Sequence, residues 1–138
     1  DIEAILEQPA VEELRERSRK IAIGFNAVSC FIDERQMKAI AQATYRWAPE
    51  GSKLFASFET KNENLMTENL QRLLAMFEQV GSPYYFTTRE QAEIAMLPWR
   101  ADARGLRPIV ELLDPNAATA AEEREGVELE FYGAMLVK

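Results

Sequence analysis

The chain has 138 residues, 47% of them apolar and 28% charged, which suits one domain or part of one and excludes a disordered tail. Sixteen Lys and Arg stand against 23 Asp and Glu, and the net charge of −7 argues against a duplex-binding module, whose affinity comes from neutralising phosphates. With Cys30 as the single cysteine and no histidine, intrachain disulfides, Cys/His zinc sites, Ser-His-Asp triads and histidine bases are excluded.

No apolar run approaches the roughly 18 residues that cross a bilayer, and no basic-then-apolar leader opens the sequence, so no membrane partner is expected. A lone cysteine makes a reducing, cytoplasmic setting the default. The first residue is Asp1 rather than Met, which reads as a processed product or a fragment.

From Asp1 to about Ser18, the apolar residues Ile2, Ile5, Leu6, Val11 and Leu14 predict two short helical pieces. Asp1 is the candidate N-cap and Pro9 the interruption. Lys20 to Asn26 is a short apolar run without alternation, the pattern of a strand covered on both faces in a parallel sheet. Asp33, with Gln36 three residues on, forms a capping box for a helix running to about Trp47. Met37, Ile40, Ala41 and Thr44 share its inner face, and Ala48-Pro49-Glu50-Gly51 turns the chain.

Ser52 to Glu59 reads as a second buried strand, giving a βαβ unit with parallel strands and a right-handed crossover. A longer helix is expected from about Glu63 to Gln79, with Met66, Leu70, Leu73, Leu74 and Phe77 as a buried stripe and Gly81 closing it. Thr88 and Gln91 form a second capping box, opening a helix that stops before Pro98. Leu106 to Leu113 is read as a third strand, with Pro108 hinting at a sheet edge. Asp114 to Gly126 is an Ala/Glu-rich loop, and Val127 to Val137 is the last strand, half exposed at first and fully buried at its end. The Glu122–Glu130 charge run reads as a solvated face. There is no internal repeat and no second domain.

The order of these elements, with several local motifs, resembles the back half of a class I, Rossmann-like methyltransferase. Asp1-x-x-Ala4-Ile5-Leu6-x-x-Pro9 resembles the segment after the third strand in S-adenosylmethionine-dependent enzymes, more narrowly in the S-adenosyl methyltransferase family. Ile21 to Ile32 is similar to that family's fourth strand and its turn, and Trp47-Ala-Pro49-Glu-Gly51-Ser52 to the turn before its fifth. The resemblance implies an α/β fold: one partial domain over residues 1–138, with two parallel strands, a closing antiparallel pair and helices on the faces. The last strand would run antiparallel between the fifth and sixth of the family. It also implies methyl transfer from S-adenosyl-L-methionine to a small-molecule acceptor that no residue names.

Two departures qualify that expectation. Cys30 stands where the family usually carries a histidine. The first strand, the glycine-rich loop at the methionine end of the cofactor, and the acidic residue for the ribose are absent, so weak or no cofactor binding by this chain alone is expected.

Ligands of open α/β sheets sit beyond the carboxyl ends of parallel strands. That rule selects Asn26 and Ala27 as candidates for the cofactor side, and Ser29, Glu59 and Arg89 for a substrate cleft. Each has a structural alternative: Asn26 as a turn residue, Glu59 as a solvated strand end, Tyr84, Tyr85 and Arg89 as packing beside a helix start rather than a lid. Cys30 reads as a buried small hydrophobe rather than a nucleophile. No catalytic residue and no metal ligand is identified. The first strand is expected to have lost a neighbour, leaving an apolar edge for a second copy of the chain or for a missing N-terminal half. The alternative function is a non-catalytic interaction module.

Overall fold

In the computed structural model the described residues are 1–61, 67–113 and 129–138. Asp1 caps α1 (Ile2–Leu6) by accepting from the Glu3 N–H, and Pro9 is the first residue of α2 (Pro9–Arg17), where its missing N–H is harmless. The strands are β1 (Ala22–Phe25), β2 (Lys53–Lys61), β3 (Arg100–Ala101), β4 (Arg107–Pro108) and β5 (Leu129–Val137). The remaining helices are α3 (Glu34–Trp47), α4 (Glu68–Gln79), α5 (Arg89–Ala95) and α6 (Ile109–Leu113). Both capping boxes form as their sequences predict, Asp33 with Gln36 and Thr88 with Gln91.

β1 pairs parallel with β2, and β5 runs antiparallel along the whole of β2, from Lys53↔Val137 to Lys61↔Leu129. The far side of β5 carries β3 and β4, both antiparallel to it. The last strand thus lies between the second parallel strand and the edge pair, as the resemblance implies. Among the described residues, nothing pairs with the outer edge of β1.

One face of this sheet is the core. Phe25, Leu54, Ala56, Phe58, Ala134 and Leu136 meet Met37 and Ala41 of α3, Ala92 and Ala95 of α5, and Trp99. The Trp99 indole N–H donates to the Thr44 hydroxyl at 3.1 Å, so the largest core side chain is polar-satisfied from α3. α1 lies against α3, where Arg46 reaches Glu3 at 2.8 Å.

The other face is mostly open along β1. Ala22 and Gly24 are exposed, which overturns the expectation of a doubly covered first strand. A side chain at Gly24 would meet only Asn26 Nδ2, at 3.5 Å. An unalternating apolar run signals two apolar faces, and it cannot say whether both covers belong to the same chain.

Three further expectations need correction. The 106–113 strand is only the two residues of β4; past Pro108 the chain winds into α6, and β3 was not foreseen. α4 begins after Thr67, its N-cap, and buries Leu70 alone, leaving Leu73 40% and Met76 63% exposed; Met66 lies outside the described residues. In β5 the face of Leu129, Phe131, Met135 and Val137 is the more open one, while Tyr132, Ala134 and Leu136 are buried, so its end is not covered on both sides. The 114–126 loop, Val127, Glu128 and most of the 122–130 charge run also lie outside the described residues.

Gly133 shows how closely α6 approaches that second face. A Cβ there would lie 3.1 Å from the Phe55 ring, 3.2 Å from the Ala56 carbonyl and 3.2 Å from Ile109 Cγ1. Gly133→Ala is expected to lower the unfolding free energy by about 1–3 kcal/mol in denaturant titration, the usual cost of overpacking.

Candidate functional site

The carboxyl ends of β1 and β2 are tied together by one residue, Ser57. Its hydroxyl accepts from the Ala27 N–H at 2.9 Å, and its carbonyl accepts from the Ser29 hydroxyl at 3.0 Å. Ala27 is held at φ 53, a left-handed conformation that a non-glycine residue adopts at a cost of about 1–2 kcal/mol. The turn continues through Ser29–Phe31, and the incoming 84–87 segment is laced to both strand ends. Tyr85 N–H donates to the Cys30 carbonyl at 2.8 Å, and Thr87 N–H to the Glu59 carbonyl at 2.9 Å.

The candidate residues divide across the sheet. Side chains alternate along a strand, so Ser57 and Glu59 share the second face while Phe58 points into the core. Ser29 and Cys30 lie over that second face and are buried; Ser29 is engaged with backbone. Asn26 is exposed, with its amide lying back over Gly24. Arg89 is elsewhere: its guanidinium stacks 3.9 Å over the Tyr132 ring, and Tyr132 is on the core side, opposite Phe58, where its hydroxyl donates to Glu130. The structure therefore places Ser29 and Glu59 on one face of the sheet, with Cys30 the neighbour of Glu59, and separates Arg89 from them. Tyr84 packs into an aromatic group with Phe31, Phe77 and Phe86.

Glu59 is the chemically unusual member. It is 6% exposed, and its Oε2 has no hydrogen-bond partner. Burial holds its carboxyl above the usual carboxylate range, opposed by a hydrogen bond from Cys30. Burial first, and then the charge of Glu59, push the Cys30 thiol up to about 11, so it stays protonated and is no nucleophile near neutrality. Ser57, which organises the turn, was missed by sequence reasoning, because only the strand register places it beside Ala27 and Ser29.

The described residues contain no group of three or more potential metal ligands, and no helix among them is long and apolar enough to cross a membrane. A cavity of about 430 Å³ opens on the core side beside β3, walled by residues such as Phe58, Met96, Trp99 and Leu106. Its lining is mostly apolar, with Glu93 and Arg100 among it, and none of the candidate residues reaches it. The Asn26–Ala27 turn is exposed at the carboxyl end of β1, and among the described residues nothing stands opposite it beyond the outer edge of that strand.

The raised Glu59 carboxyl fixes the sign of a pH effect. The folded chain holds this proton longer than the unfolded chain, so its contribution to stability falls as pH rises from the unfolded value, about 4.3, through the raised one. Glu59→Gln lacks that loss. Its stability relative to the native chain is therefore expected to increase as pH rises above about 4.3, read by denaturant unfolding at each pH. A difference independent of pH would mean the carboxyl is unperturbed.

No family model and no curated protein matches this sequence. Solved structures do. A DUF574 family protein from Streptomyces avermitilis MA-4680 is 24% identical and matches 100% of this chain and 53% of its own, with a TM-score of 0.72. A protein proposed to be a methyltransferase, from Thermobifida fusca YX, is 16% identical over 100% of this chain and 52% of its own, with a TM-score of 0.71. Geranyl diphosphate C-methyltransferase from Streptomyces coelicolor A3(2), solved with Mg2+, geranyl diphosphate and S-adenosyl-L-homocysteine, is 14% identical over 84% of this chain and 45% of its own, at 0.52. The chain spans about half the length of the solved structures it matches. In fold it thus corresponds to about half of each of these solved chains.

Proposed function

We propose that this chain is the C-terminal part of an S-adenosylmethionine-dependent methyltransferase, and that it acts only with a further half-domain paired along β1. The observation that carries the reading is the outer edge of β1, unpaired among the described residues, and the open sheet face beside it, in a chain matching half of its structural neighbours. On this reading Asn26 and Ala27 form one edge of the cofactor cleft, and Glu59, beside Ser29, faces the acceptor. Arg89 lies on the other side of the sheet and has no part in that cleft. The cofactor supplies the activated methyl group; the residues here position and desolvate.

Titration calorimetry with S-adenosylhomocysteine tests this. The 138-residue chain is expected to give no saturable heat, and a protein extended by its upstream sequence to bind. Binding by the short chain alone, or by neither, overturns the reading.

The same edge favours a second reading, a non-catalytic module that pairs with a copy of itself through β1. On that reading, light scattering gives twice 15.7 kDa and the dimer resists dilution. A stable monomer removes it.

A further inference from the structure

We propose that Glu59 and the ring of Phe131 form a subsite for an alkylammonium group, and that the methyl acceptor is a molecule that carries one. The second clause rests on the methyltransferase reading; the first does not.

Glu59 is buried with one carboxyl oxygen unpartnered, although its backbone is pinned on both sides by the β5 ladder and by Thr87. Leaving a buried acceptor unpaired costs about 1–3 kcal/mol, and more if it is charged. Among the described residues, no Lys or Arg forms an ion pair with it, and its neighbour Cys30 is a neutral thiol. The fold thus places a carboxyl at the carboxyl end of β2, and no described side chain supplies a cation for it.

What it does supply is a ring. Phe131 is the register partner of Glu59, on the same face, and is 47% exposed. Directly opposed residues of an antiparallel pair have Cβ atoms about 4.5–5.5 Å apart. A carboxyl and an aromatic ring on register-paired residues of one sheet face suit one ligand chemistry. An ammonium donates a charge-assisted hydrogen bond to the oxygen and rests its charge on the ring quadrupole. An anion is repelled by both, and an uncharged carbonyl gains nothing from the ring. The nearby cation Arg89 does not compete, since it is engaged with Tyr132 across the sheet. Because Oε2 is covered, the ligand reaches it through a rotamer shift of Glu59 toward the Phe131 side.

The test is an NMR titration of this chain with n-butylammonium, and with n-butanol as the uncharged analogue, following the Glu59 carboxyl carbon and the Phe131 ring. A saturable shift with the ammonium alone is expected. Glu59→Gln should weaken it at least about tenfold. Phe131→Leu, at an exposed position that keeps the fold, should weaken it roughly threefold. Equal binding of butanol, unchanged affinity in Glu59→Gln, or no saturable shift overturns the subsite. No cofactor is present in this experiment, so its failure is separable from that of the methyltransferase reading. Calorimetry can fail with the amine titration intact, or the reverse.

Discussion

The nine-residue antiparallel ladder between β2 and β5 is the constraint on which the rest of this fold depends. It fixes which residues of β2 face the helices, because a slip of one residue would exchange the two faces. With the register as it stands, Leu54, Ala56 and Phe58 join Ala134 and Leu136 against α3 and α5. Burying one such large side chain contributes about 1.5–3 kcal/mol, so the alternative register is strongly disfavoured. The polar residues Ser57 and Glu59 are thereby sent to the opposite face, at the end where the parallel strands stop.

That consequence builds the candidate site. Ser57 can hold the turn after β1 only because its neighbours Ala56 and Phe58 are locked into the core. Its hydroxyl and carbonyl satisfy a backbone N–H and a buried hydroxyl that the turn would otherwise leave unpaired. The same locking denies Glu59 an escape to solvent. Its burial is imposed by the ladder, by the Thr87 hydrogen bond and by the Cys30 turn, rather than chosen by the side chain itself.

What was legible in the sequence was what is local. The two capping boxes, the break at Pro9 and the αL glycine at Gly81 each follow from the chemistry of three or four consecutive residues, and each is found. The order of strands followed from resemblance rather than from periodicity. The failures share one cause, since they needed knowledge of partners. Ile109 to Leu113 is as compatible with a helix as with a strand once Pro108 has stopped the pairing. Leu73 and Met76 have helical spacing whether or not anything covers them. The union of Ser57, Ser29 and Glu59, and the opposition of Glu59 to Phe131, are facts of register, which no local pattern contains.

The two edges of the sheet differ in a way that bears on what the open one is for. Proteins that leave an edge strand in water blunt it with short strands, charges, prolines or bulges. The far edge has these devices: β3 and β4 are two residues each, and they carry Arg100, Arg107 and Pro108. β1, though short, carries no charge and no proline; its four residues are Ala-Ile-Gly-Phe. Its exposed face bears no side chain larger than a methyl group, and Gly24 leaves room for a neighbour to approach. An edge adapted to solvent and an edge without adaptation, in one sheet, imply different surroundings for the two. The unprotected strand is the one whose carboxyl end carries Asn26 and Ala27. On the proposed reading, a partner paired along β1 would also complete the wall opposite those residues, and pairing at the edge and assembly of the cleft would be a single event.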